Sequence, residues 1–243
     1  MSGLFNLFFV LFLFASVSAV SCFSTSSLQS STLLLHQHHH HSRNTRLHST
    51  SFNLDFLSSL FSPTNSNSNS NSNTSSQEVQ RLKQKLYQTC QSSYGKCTPT
   101  IRSNIEHLLS QLQPLNPTPS PSTSSLLQRK WIVLWTSEKE INFFLEKGIS
   151  TLIEQTLSDG MVLENWIPFV KGGGFGVTGS INPADDNELR TAFKFQSAKL
   201  DLGKWGTYNF PPVGEGWFDT VYLDDELRID LNSRNDILIC RGE

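Results

Sequence analysis

From residue 131 onward the chain is a succession of short β-type segments joined by short polar turns, with almost no room for helix between them. Residues 131–136, 149–157, 161–170, 175–181, 189–200, 217–223, 227–231 and 237–241 make eight candidate strands within residues 126–243. Parallel neighbours need crossovers of a dozen or more residues, so connections this short dictate an antiparallel order. Eight antiparallel strands closing on themselves form a β-barrel whose interior is either filled by side chains or holds one small ligand. Closure also removes exposed strand edges, which would otherwise invite aggregation. A two-sheet sandwich is the other arrangement the pattern allows. Ser158-Asp159-Gly160 is a strong hairpin signal, and the turn before the last strand is Asn232-Ser233-Arg234-Asn235-Asp236. Ser137 with Glu140 reads as a capping box opening a short helix that Gly148 closes.

Upstream the period is helical. Val79, Leu82, Leu86 and Cys90 recur on one face, and Gly95 is placed to stop that helix. Thr98-Pro99 is a cap followed by proline in the first turn, and it leads a second stripe of Ile101, Ile105, Leu108, Leu109 and Leu112. Residues 77–113 therefore form a helical region, and 114–125, with Pro114, Pro117, Pro119 and Pro121, a stiff linker to the β segment.

The first third has the composition of a leader. Residues 1–22 contain an apolar run of about a dozen residues, too short to span a bilayer, followed by small residues suited to cleavage after Ala19 or Cys22. Residues 23–54 hold no Asp or Glu, are rich in Ser and Thr, and carry Arg43 and Arg46, as an organellar transit peptide does. The two together resemble a bipartite plastid presequence. Six of the seven histidines fall in this stretch, where an unstructured leader is a better reading than a metal tract. Residues 55–76, with their Asn-Ser alternation, are a polar linker with nothing to bury.

Several kinds of chemistry are disfavoured. From 126 to 243 there are 12 Lys and Arg against 18 Asp and Glu, the wrong sign for displacing phosphate counterions, so no nucleic-acid partner is expected. That segment contains no histidine and one cysteine, Cys240, which leaves no Ser-His or Cys-His pair. Cys90 and Cys97 have poor zinc spacing, and neither a metal nor a cofactor is expected. Gly174 to Gly179 satisfies G-x-G-x-x-G, but Pro183 and Asp185-Asp186-Asn187 follow where a dinucleotide site needs a helix. Hairpin geometry explains these glycines better. Asp224, Asp225 and Glu226 are the densest carboxylates; a strand-end turn, with Arg228 paired to a neighbouring carboxylate, is their structural reading.

Three segments carry a family resemblance. Trp131-Ile132-Val133-Leu134-Trp135-Thr136-Ser137 resembles the strand that opens the plastid lipid-associated protein (PAP/fibrillin) domain, and Phe195-Gln196-Ser197-Ala198-Lys199-Leu200 its mid-domain strand. Trp217-Phe218-Asp219-Thr220-Val221-Tyr222-Leu223-Asp224-Asp225-Glu226-Leu227-Arg228-Ile229 matches the terminal motif around Y-L-D-x-x-L-R-I. The chain departs from the family pattern in having Gln128-Arg129-Lys130 before the opening tryptophan, and Asn235 for a glycine in the last turn. Asparagine tolerates the left-handed conformation such a turn needs.

The resemblance implies a lipocalin-like eight-stranded barrel over 126–243. It implies a non-catalytic protein at plastoglobules, thylakoids or in the stroma, binding prenyl-lipids, carotenoids or fatty-acyl lipids. Two other functions stay open: an enzyme of the same fold acting on an isoprenoid or acyl lipid through carboxylates, and a docking partner of other plastid proteins. All five tryptophans lie in the β segment. Candidate cavity-lining residues are Trp131, Trp135, Phe193, Phe195, Trp217 and Tyr222, with Phe193, Phe195 and Ser197 on one face by strand alternation. Asp224, Asp225 and Arg228 form the candidate structural motif.

Overall fold

Two amphipathic helices lead the part of the chain that the computed structural model describes, residues 72–211 and 214–243. The expected presequence, 1–54, and residues 55–71 of the expected polar linker lie outside the described residues. Helix α1 (Ser72–Ser92) precedes Gly95, whose φ of +70° gives the chain its turn away. Helix α2 (Pro99–Leu112) starts at Thr98, whose side chain accepts a hydrogen bond from Ile101 N. Leu82, Leu86 and Cys90 of α1 and Ile105, Leu109 and Leu112 of α2 are buried, each leucine or isoleucine worth roughly 1.5–3 kcal/mol of apolar burial.

Nine antiparallel strands follow: β1 (Lys130–Thr136), β2 (Glu154–Ser158), β3 (Val162–Pro168), β4 (Gly174–Ala184), β5 (Asn187–Asp201), β6 (Thr207–Phe210), β7 (Glu215–Leu223), β8 (Leu227–Asn232) and β9 (Ile237–Gly242). Their order is β4-β3-β2-β1-β9-β8-β7-β5-β6, and β5 also pairs back on β4. Eight strands thus close in a ring, and β6 is an added edge on β5. All eight expected strands are present, seven within a few residues of their expected bounds, while β2 starts at Glu154, five residues after the expected 149. β6 is the addition: four mostly exposed residues carry no alternation that could reveal a strand. Met161 at φ +60° and Asn235 at +61° take the left-handed turn positions.

The ring has two apolar layers. One fills its inside, around Trp131, Val133, Leu157, Leu163, Phe175 and Leu200. The other lies outside, where α1 and α2 cover Trp135, Val221, Tyr222, Ile229 and Ile239. Three β-bulges decide which residue belongs to which. The register shifts between Val133 and Trp135, between Thr220 and Tyr222, and on β5 between Phe195 and Ser197. A bulge adds one residue and reverses the alternation beyond it. Trp131 therefore faces in but Trp135 faces the helices. Phe193 and Phe195 face in while Ser197 is exposed, which corrects the expectation that all three share a face.

One end of the ring is closed. The proline-rich segment crosses it in short 3-10 turns rather than standing free as a spacer, and Pro121 and Ser122 are buried. Asn116 Oδ1 accepts from Leu223 N at 2.9 Å, and Ser122 Oγ donates to Glu188 O at 2.7 Å. Behind this strap Leu127 and Trp131 plug the interior, the indole N–H bonding Leu127 O at 2.9 Å. At the other end lies α3 (Lys139–Glu146). Its N-cap is Glu138 rather than Ser137, whose hydroxyl instead bonds Asp236 Oδ1 at 2.8 Å and ties β1 to β9.

Candidate functional site

Inside the ring, between the Trp131 plug and α3, is a cavity of about 240 Å³. Its walls are apolar: Val133, Ile153, Leu163, Ile167, Phe175 and Val177 on one side, Phe193, Phe195, Phe218 and Leu238 on the other, with Ile141 of α3. Phe193 packs on Phe195 (ring centroids 5.1 Å apart) and on Phe218 (6.4 Å), so one aromatic surface spans β5 and β7.

Of the six residues expected to line a cavity, Phe193 and Phe195 do so. Trp131 lies inside the ring, buried among Leu127, Val133 and Leu223. Trp135 and Tyr222 stand beyond their bulges, under the helices; Trp135 Nε1 donates to Lys96 O and the Tyr222 hydroxyl to Asp224 Oδ2. Trp217 faces outward and stacks on Arg190, whose guanidinium carbon is 3.7 Å from the ring centroid. Phe218, the next residue along, takes the inward place.

The floor is polar and charged, which the sequence reading missed. Arg228 is wholly buried, with Nε 3.0 Å from Asp230 Oδ2 and its guanidinium 5.0 Å from the Trp131 ring centroid. The Nε contact is an ion pair without hydrogen-bond alignment, and Nη1 has no hydrogen-bond partner. Nη2 donates to Gln155 Oε1, and Gln155 Nε2 donates to Asn165 Oδ1 at 2.7 Å. Burial pushes the Asp230 carboxyl up, against the opposing pull of Arg228 and the Thr220 hydroxyl. Polar residues at inward positions of strands with apolar alternation, as in Leu163-Glu164-Asn165-Trp166-Ile167, are the signal that could have located this floor.

Asp224 does not pair with Arg228. It lies on the helix side, 2.9 Å from the buried Lys83 ammonium, which also reaches Glu226 at 2.6 Å. Burial would raise the Asp224 carboxyl, but Lys83 and the N–H groups of Glu226 and Leu227 hold it below its usual value. This group pins α1 to the β7–β8 turn. Asp225 is exposed, and its carbonyl accepts from Arg129.

The open end carries Glu138, Glu140 and Arg234, with both carboxylates 3.3 Å from the guanidinium. Burial pushes the Glu138 carboxyl up to about 7, although its side chain keeps 17 % of its surface. The remaining chemistry is sparse. Gly174 and Gly176 lie in β4 beneath the Trp166 indole, where a Cβ would come within 2.4 and 2.8 Å of ring atoms; no helix follows to hold a phosphate. Among the described residues no group of three or more His, Cys, Asp or Glu could hold a metal ion. Burial pushes the Cys90 and Cys240 thiols up to about 12, far from a reactive thiolate.

The PAP_fibrillin family model matches residues 80–207, from α1 to the start of β6. The chain belongs to the PAP/fibrillin family. It is similar to the "Probable plastid-lipid-associated protein 11, chloroplastic" of Arabidopsis thaliana, 37% identical over 128 residues, covering 49% of this chain and 58% of that protein. It is also similar to the "Probable plastid-lipid-associated protein 2, chloroplastic" of the same plant, 34% identical over 143 residues (54% and 44%). To the "Chromoplast-specific carotenoid-associated protein C2, chromoplastic" of an Oncidium hybrid cultivar it is 33% identical over 193 residues (55% and 59%). The chain spans about half the length of the curated relatives it matches. No solved structure matches it. These relatives are chloroplastic or chromoplastic by name, and the chain, like them, is a plastid protein.

Proposed function

We propose that this is a non-catalytic plastid lipid-associated protein whose strand ring works as a lipocalin-like barrel, holding one end of a hydrophobic molecule. The carrying observation is the apolar cavity, plugged at the Trp131 end and open at the α3 end. An interior walled by Phe193, Phe195 and Phe218, with its polar groups at the floor and the mouth, suits an apolar ligand. Its size sets a limit. A cavity of about 150 Å³ takes a benzene molecule, so 240 Å³ accommodates about ten heavy atoms. A prenyl-lipid, carotenoid or acyl lipid would insert one end and leave the rest outside.

The open end also suits a lipid surface. Val170 and Lys171, between β3 and β4, and Trp205, Lys204 and Tyr208, beyond β5, are at the cavity's open end. Trp205 is 72% exposed and Val170 62%. Exposed aromatic and aliphatic side chains beside lysines favour the boundary between headgroups and acyl chains. A ligand could then pass between a plastoglobule or thylakoid surface and the ring without crossing water. The name of the Oncidium relative, carotenoid-associated, agrees with such cargo. Residues 1–54 serve as a bipartite presequence removed on import.

One observation favours an enzyme instead: a carboxyl at the cavity mouth pushed up to about 7, as a general acid or base requires. Against it, burial, against the opposing pull of Arg234, accounts for the shift in a structural ion-pair group. Mass spectrometry of lipids co-purifying with the protein from plastids tests the container reading. One hydrophobic species at near-stoichiometric amount supports it, and bare protein, or a matched substrate and product pair, opposes it.

A further inference from the structure

We propose that the cavity contains a built subsite for one neutral acceptor oxygen, with the Asn165 side-chain amide as its donor. The occupant is then an apolar body of about ten heavy atoms bearing a carbonyl. This rests on the reading of the cavity as a hydrophobic container and specifies the chemistry of what enters it.

Hydrogen-bond direction carries the inference. An arginine can only donate, so Arg228 Nη2 fixes the Gln155 side chain with its oxygen toward the guanidinium. The Gln155 nitrogen must then point at Asn165 and donate to Oδ1, at 2.7 Å. Asn165 is left with its nitrogen turned away from Gln155. The residue lies on the cavity wall, and among the described residues nothing accepts from that Nδ2. The relay therefore runs from a buried cation through two amides to a spare donor beside the apolar side chains of the cavity. Each bond polarises the next in such a chain, which strengthens the terminal donor.

Charge decides between a neutral and an anionic acceptor. Glu138, Glu140 and Glu215 line the same cavity, with Arg234 the one cation among its lining residues and Lys194 3.3 Å from Glu215. Arg228, behind the floor, is already matched by Asp230. A carboxylate-bearing ligand would enter an excess of negative charge, whereas a ketone, ester or quinone carbonyl would not.

The test compares acetophenone with cumene, which share one heavy-atom skeleton and differ in an oxygen where the other has a methyl group. Dissociation constants are measured by NMR titration of the full chain and of Asn165→Leu, with benzoate as a third probe. The expected result is that Asn165→Leu weakens acetophenone relative to cumene by about fivefold, the worth of one neutral hydrogen bond. In the unaltered protein the Asn165 side-chain N–H resonances should move downfield with acetophenone and not with cumene, a readout that does not depend on the variant folding. An unchanged ratio, absence of that downfield shift, or benzoate binding more tightly than acetophenone overturns the subsite. Cumene binding in those cases leaves the container reading standing. If neither neutral probe binds, both fall.

Discussion

Arg228 and Asp230 meet inside the strand ring, Nε 3.0 Å from Oδ2, with side-chain exposures of 0% and 3%. They are two residues apart on β8, so both face inward, and the pair separates the cavity from the Trp131 plug. An ion pair this dry is stabilising only relative to its broken form. Arg228→Ala should cost about 3–5 kcal/mol by leaving the Asp230 charge buried and unmatched. The double change Arg228→Met with Asp230→Leu should recover most of that loss. Urea denaturation of both variants checks this, and a single mutant as stable as the parent would show the pair to be solvated.

The mouth carboxylate gives a pH dependence with a definite sign. The Glu138 carboxyl is raised by burial from its usual value to about 7. Its protonated form is thus favoured by folding. That contribution is fully present below about pH 4.5 and is lost as pH rises through 7. Glu138→Gln should abolish this slope and raise stability at pH 8 by at most roughly 3 kcal/mol. Melting temperatures at pH 5, 6, 7 and 8 measure it; parallel curves for the two proteins would remove burial as the dominant influence.

How much of this was legible in the sequence depends on whether alternation holds. Eight strands, both helices and the Thr98 cap follow from local patterns that the tertiary structure leaves intact. Phe193 and Phe195 point inward as alternation allows. Trp135, Tyr222 and Ser197 lie beyond bulges, and one inserted residue changes the face of everything after it without leaving a mark in the hydrophobic pattern. Ion-pair partners were harder still. Asp224 and Arg228 are helical-spacing neighbours in the motif, yet they sit on opposite faces of the sheet, and their partners, Lys83 and Asp230, are set by topology. The proline-rich strap reads as a spacer because its hydrogen bonds to Leu223 and Glu188 are made across about 65 to 110 residues of chain.

The exposed Trp205 and Tyr208 should anchor the open end at a lipid surface. Replacing both with Ala should reduce partitioning onto vesicles of galactolipid with anionic phosphatidylglycerol by roughly tenfold or more, given the apolar area each would bury. Vesicle co-flotation checks this. Raised salt should weaken binding further if Lys171 and Lys204 contribute. Unchanged flotation of the double variant would place the contact elsewhere.

Entry of a hydrophobic molecule into the ring is tested most directly by titrating the protein with a prenylquinone while following tryptophan emission. Trp131 lies just beneath the cavity floor, within reach of a bound quencher. Quenching should be saturable and nearly independent of salt, because apolar burial at about 25 cal/mol per Å² drives it. Asp at Phe193 or Phe195 should abolish it by placing an unpaired charge on the apolar wall, whereas Trp217→Phe, outside the ring, should leave the midpoint unchanged. Saturable quenching that survives both Asp substitutions, or none in the parent protein, would contradict the account.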